Sequence, residues 1–121
     1  MNSYQHILDL VQKYLRGIYT GDATALHEVF HESARVEDRV TGTFRSRSAA
    51  EYIAGVASRQ SPFAAGEAFT MAPMSITVLG DLAVVTADLR FLGNHYVNVL
   101  SLLRDGGGWR ITHKLFGPPC P

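Results

Sequence analysis

A single cysteine, Cys120 in the closing "GPPCP", excludes an internal disulfide and any zinc cluster built on thiols. Net charge is also missing: eleven Lys and Arg are matched by eleven Asp and Glu. No broad surface of one sign is available to a polyanion, so nucleic acid is not the expected partner. No apolar run approaches the ~20 residues of a membrane span, and "MNSYQHILDL" lacks the basic-then-apolar layout of a secretion signal. The expected location is the cytoplasm, with no membrane partner. The chain has no glycine-rich strand-to-helix phosphate loop, no elbow serine and no Cys/His pair, and "DGGGW" at 105–109 reads as a hairpin turn. No cofactor is expected.

Against these absences stands an apolar share of 46% in 121 residues. That is enough for one continuous core, so a single domain over 1–117 with a short tail at 118–121 is expected. Tyr4, Ile7, Leu8, Val11, Tyr14, Leu15 and Ile18 recur at three- and four-residue steps, one apolar face of a first helix. "TGD" at 20–22 ends it, with Gly21 as C-terminal cap and Asp22 as N-cap of a shorter helix carrying Ala25, Leu26, Val29 and Phe30. A strand over 34–40, a turn at Thr41–Gly42 and a third helix within "SRSAAEYIAGVASRQ" follow, the helix opened by Ser46 or Ser48 with Tyr52, Ile53 and Val56 buried. Residues 74–80, 82–92, 95–104 and 109–116 are Val-, Ile-, Leu-, Phe- and Tyr-rich runs split by "GD", "GN" and "DGGG", an antiparallel meander. The segment 60–73, punctuated by Pro62, Gly66 and Pro73, reads as a loop or an irregular strand entry, and the sequence leaves open whether it closes a cavity. Helices first and sheet afterwards predict an α+β fold with helices across one sheet face.

The oddity is "ARVED". Val36 and Val40 share a strand face with Asp38 between them. Either Asp38 is a wet residue near a turn, or the strand faces a cavity and aims a carboxylate into it.

"YLRGIYTGDATALHEVFHESARVED", "ITVLGDLAVV" and "YVNVLSLLRDGGGWRITHKLF" together resemble the nuclear transport factor 2-like superfamily over essentially the whole chain. The second half is similar to the "putative lumazine-binding" branch, whose members end in a comparable "sLl.DG.W.I..K.f" pattern. The first half is similar to bacterial ketosteroid isomerase in "VQKYL", "GDATALHEVF" and "ARVED". The resemblance implies a cone-shaped, curved antiparallel sheet wrapped around N-terminal helices, in the order α-α-β-α-β-β-β-β. It also implies a homodimer through the convex face. Residue by residue, the isomerase resemblance places Asp38 on the base and Tyr14 on the phenol donor. It places Asn98 where that enzyme has a proton-bearing Asp, and an amide NH2 can donate in its stead.

Two departures stand out. Arg39 follows Asp38 where Pro is frequent, and the third-helix tyrosine that holds the catalytic phenol is replaced in the aligned "IAG" at 53–55, leaving Tyr52 as a substitute. Each candidate also has a structural alternative: Tyr14 as a packed core tyrosine, Asn98 as a strand amide.

The last strand is ambiguous. "WRITHKLF" puts Trp109, Ile111, His113 and Leu115 on one side and Arg110, Thr112, Lys114 and Phe116 on the other. Hydrophobicity turns the Trp side inward, whereas the isomerase alignment turns Lys114 and Phe116 inward. If inward, Lys114 is a desolvated ammonium able to pair with Asp38 or attract an anion. His113 competes on the other parity. Phe30, Tyr52 and Tyr96 complete the ligand-contact set with Lys114 and Phe116. His27 and His31, four apart on the second helix, lack a third ligand, so no metal site is expected. Glu28, Glu32 and Glu37 read as acidic surface balancing Arg35 and Arg39. Two functions follow: a proton-transfer enzyme acting on a small apolar carbonyl compound through Asp38, Tyr14 and Asn98, or a binding module using the same pocket without turnover.

Overall fold

The computed structural model describes residues 2–120. Three helices and six strands follow in the order α1 (Ser3–Thr20), α2 (Ala23–Val29), β1 (Phe30–Asp38), β2 (Arg45–Ser48), α3 (Ala49–Ser58), β3 (Met71–Leu79), β4 (Leu82–Phe91), β5 (Asn94–Asp105) and β6 (Gly108–Gly117). The architecture is α+β, as the sequence pattern predicts.

The helix boundaries come from local chemistry. Asn2 and Gln5 form a reciprocal capping box at the start of α1. Gly21, at φ 71°, ends α1 in the left-handed conformation that costs glycine nothing. Asp22 then caps α2 by accepting from the Ala25 amide. Gly17 has a different role: a Cβ there would stand 2.8 Å from the Leu26 side chain, so its absence lets α2 fold closely against α1. The buried stripe of α1 is Ile7, Val11, Tyr14, Leu15 and Ile18, whereas Tyr4 lies outside it and is exposed. Of the two serines that could open α3, it is Ser48 that does so, in a capping box with Glu51.

The six strands form one sheet in the order β2-β1-β6-β5-β4-β3. It is mixed rather than wholly antiparallel, because β1 runs parallel to β6. Three further details depart from the sequence pattern. Phe30 is the first residue of β1, not part of α2, which also separates His31 from the helix that carries His27. Residues 45–48, assigned by the pattern to the approach to α3, form the edge strand β2, pairing Asp38 with Arg45 and Val36 with Arg47. "RSRS" carries no apolar alternation, so its pairing with β1 had no hydrophobic signature.

The third detail removes the ambiguity of the last strand. Across β5 and β6, Ser101 opposes His113 but Leu102 opposes Ile111, so Thr112 is an extra residue that bulges out, its hydroxyl donating to the Ser101 carbonyl. The inward parity switches there. Trp109 and Ile111 face inward before the bulge and Lys114 after it, all three buried, while Leu115 is exposed. Both halves of the conflict are correct, each for its own half of the strand.

Buried apolar residues from all three helices and from β1, β3, β4, β5 and β6 form one cluster against the inner face. The 60–73 segment is tied down near its middle, at Glu67. Tyr19 donates to the Glu67 carbonyl, and the Glu67 carboxylate accepts from the Leu92 amide in the β4–β5 turn. Among the described residues, no helix is long and apolar enough to cross a membrane.

Candidate functional site

Register lays the candidate residues in rows across the inner face. Asp38 is level with Phe116, and Phe116 with Asn98 and then Ala87. One residue pair further along the strands, Val36, Lys114, Leu100 and Val85 form the next row on the same face. At ~4.8 Å per strand, the backbones at Asp38 and Asn98 are roughly 10 Å apart, with Phe116 between them.

In the centre, Tyr14 and Asn98 meet. The Tyr14 hydroxyl donates to the Asn98 side-chain oxygen at 2.5 Å, and both residues are essentially inaccessible. Burial away from water pushes the Tyr14 phenol well above its ordinary range, with the neighbouring Tyr52 adding to the effect. Phe30 packs edge-on against both Tyr14 and Tyr52.

At the edge, Asp38 is buried, not wet. One carboxylate oxygen accepts from the Val40 amide at 3.0 Å, the other from Arg45 at 2.9 Å and Arg47 at 3.4 Å. The partner suspected from sequence, Arg39, is exposed just beyond the strand end. The guanidiniums that matter come from β2, whose two-residue alternation places Arg45 and Arg47 on the side where Asp38 points.

Between edge and centre lies Lys114. Its ammonium nitrogen is 2.5 Å from the Tyr52 hydroxyl and stands 4.2, 4.9 and 5.3 Å from the ring centres of Tyr52, Phe116 and Tyr14. Desolvation, reinforced by the nearby Arg59 and Arg47 charges and only partly opposed by Asp38, drives its pKa well below that of an ordinary lysine. Burial pushes Tyr52 up to about 12, against the pull of the two arginines.

A cleft of about 200 Å³ opens beside this cluster. Tyr52, Tyr96 and Phe116, three of the predicted ligand contacts, line it together with Phe91, Arg45, Arg47 and Arg59. Tyr96 bridges the aromatic wall, edge-on to Phe91 at 5.8 Å and to Phe116 at 5.4 Å. Tyr14, Asp38, Asn98, Lys114 and Phe30 are not in the lining but behind it, and no residue of 60–73 takes part. The sequence pattern missed Phe91 and the three arginines. Arg45 and Arg47 had one available signal, their i, i+2 spacing beside a strand that carries a buried carboxylate. Arg59, just past the end of α3, had none.

His113, the competitor on the other parity, faces outward and bonds Glu37 at 2.8 Å. Among the described residues, no three His, Cys, Asp or Glu side chains gather to hold a metal ion.

The fold recurs in proteins of known structure. An NTF2-like protein of unknown function from Silicibacter pomeroyi superposes with a TM-score of 0.81 at 25% identity, over 97% of this chain and 98% of that one. One from Shewanella baltica gives 0.82 at 18% identity, over 94% and 91%. A third, with a cystatin-like fold, from Novosphingobium aromaticivorans, gives 0.68 at 19% identity, over 97% and 82%. No curated protein matches the chain. The family described as "Putative lumazine-binding" matches residues 2–117, nearly the whole chain, and the protein belongs to that family, within the NTF2-like superfamily.

Proposed function

We propose that the protein is a binding module that seats a small, planar, largely apolar molecule in the cleft beside α3 and does not turn it over. The supporting observation is how the polar groups are divided. The cleft is walled by Tyr52, Tyr96 and Phe116, whereas the groups that proton transfer would use are engaged with other side chains behind it. Tyr14 donates to Asn98, and both Asp38 oxygens already accept hydrogen bonds. Aromatic walls with a few polar groups are the usual make-up of a small-molecule site. Lumazine, which the family description names, is a planar bicycle and belongs among the first probes. Thermal unfolding and calorimetry with lumazine and 2-naphthol test the idea. A ligand at about 100 times its Kd should add about 2.7 kcal/mol of stability, and Phe116→Ala or Tyr96→Ala should remove the effect. No shift with any planar probe would end this proposal.

A second reading, proton transfer at carbon with Asp38 as base, draws support from the 2.5 Å contact of Tyr14 with Asn98 and from Asp38 lying on the same row as Asn98. It requires Asp38 to release Arg45 or Arg47 when substrate enters. Isomerisation of a steroid enone that disappears in Asp38→Asn would support it; a wild type inert towards a panel of enones would defeat it.

The outer sheet face supports a homodimer. Leu79, Leu82, Val84, Val99 and Leu115 are exposed there, and Leu79, Leu82, Val84 and Leu103 border a groove of about 440 Å³. Sedimentation of wild type and of Val84→Glu reads this directly, with the variant expected to be monomeric.

A further inference from the structure

We infer that the ligand of this cleft is an anion: a carboxylate, or a comparable oxyanion, on a planar apolar body, with its charge taken by Arg47 and Arg59. The inference rests on the binding reading and adds the chemical class of the ligand. Three guanidiniums line the cleft and one carboxylate, Asp38, answers them, so its charged wall carries three positive charges against one negative, a surplus of two even without Lys114. Asp38 is shared between Arg45 and Arg47, the longer contact going to Arg47. Arg59 has no acidic partner among the described residues and lies over the Phe91 ring at 5.2 Å.

The second observation is an orphaned donor. The Nε–H of Arg47 is buried and bonds to nothing among the described residues, although Arg47 borders the cleft. A buried polar group without a partner is costly and uncommon in folded proteins. An uncharged ligand filling the cleft would dry Arg47 and Arg59 further and give them nothing in return. A carboxylate between them would accept charge-assisted bonds from both. Its flat body would lie against Tyr52, Phe116 and Tyr96, leaving the Asp38–Arg45 pair in place.

The test compares isosteres. Calorimetry with 2-naphthoate and its neutral counterpart 2-naphthamide should show the carboxylate binding at least about tenfold tighter, a difference of about 1.4 kcal/mol. Raising salt from about 0.05 to about 0.5 M should weaken naphthoate more than naphthamide. Arg59→Gln should shrink the preference to within about threefold, and Arg59→Lys should keep most of it. Circular dichroism checks that both variants fold, and Arg59 is chosen because no carboxylate depends on it. Equal affinity for the two probes in wild type would overturn the anion inference and leave the binding module standing. So would a preference untouched by Arg59→Gln. Failure of both probes, and of the planar neutral probes above, would remove the binding module as well.

Discussion

The two halves of β6 bury opposite chemistry on the same side of the sheet. Before the Thr112 bulge, Trp109 and Ile111 join an apolar layer with Leu102 and Ala83. After it, Lys114 sits among Tyr14, Tyr52 and Phe116 beside the charged edge. The apolar half is sealed even though the Trp109 indole N–H is buried in it with no hydrogen-bond partner among the described residues. The polar half needs a separate arrangement for each group. Tyr14 and Asn98 are neutral and satisfy each other, so they close completely. Asp38 is charged, and it is buried only because its partners stay partly wet: the Arg45 side chain is 43% exposed and that of Arg47 22%. Lys114 has a hydroxyl in place of a carboxylate for a partner, and burial, reinforced by the Arg59 and Arg47 charges, makes its proton more easily lost. Polar groups on a closed face are therefore graded by charge: neutral pairs inside, ion pairs at the rim.

The comparison breaks most severely if a second residue is inserted at the bulge. Deleting Thr112 would leave Ile111 and Lys114 two positions apart, both still inward, whereas a residue inserted after Thr112 shifts the alternation and turns either Lys114 and Phe116 or Trp109 and Ile111 outward. The expected loss exceeds the ~5–15 kcal/mol that holds a domain together, so circular dichroism should find an unfolded or aggregated chain. Next comes Asp38→Ala, which strips two guanidiniums of their anion. Breaking a buried pair costs about 3–5 kcal/mol when both charges are dry, but these arginines can rehydrate, so about 2–3 kcal/mol is expected in urea unfolding. Tyr14→Phe should cost about 1–2 kcal/mol by leaving the Asn98 oxygen unpaired. Adding Asn98→Leu should recover part of that loss in a double-mutant cycle.

Lys114→Met should have the smallest effect at neutral pH, a gain of about 1 kcal/mol or less, and its clearer signature is in pH dependence. The folded pKa of Lys114 is depressed, so between that value and the ordinary 10.5 the unfolded chain holds the extra proton. Stability then rises with pH across this window, by at most ~1.4 kcal/mol per unit. Above pH 10 the raised phenols of Tyr14 and Tyr52 act in the opposite direction, because the unfolded chain loses protons that the folded one keeps. Urea unfolding at stepped pH should give a rising slope below 10 in wild type and a flatter line in Lys114→Met.

Local signals carried much of this. The cap at Asp22 and the left-handed Gly21 were legible, and the cap of α3 was narrowed to Ser46 or Ser48, because each depends on residues within a few positions. So were the four C-terminal strands, whose apolar runs and "GD", "GN" and "DGGG" turns lie next to one another. The same holds for Tyr14 on the inner stripe of α1, whereas the place of Asn98 and its contact with Tyr14, 84 positions apart in sequence, were implied only by the isomerase resemblance. Glu37 and Glu28 show the limit. Both read as acidic surface, and both pair with basic residues from distant segments, His113 and Lys13.

What the sequence determined by itself was the fold class, the break between α1 and α2 at Gly21 and Asp22, and the presence of an unusual carboxylate in "ARVED", because periodicity and capping are short-range. Tertiary structure alone decided which arginines hold that carboxylate, where β6 switches parity and which aromatic rings border an open cleft. Those outcomes depend on strand register and on the bulge at Thr112, and pairing between distant segments leaves no mark in the local pattern of a polar strand such as "RSRS".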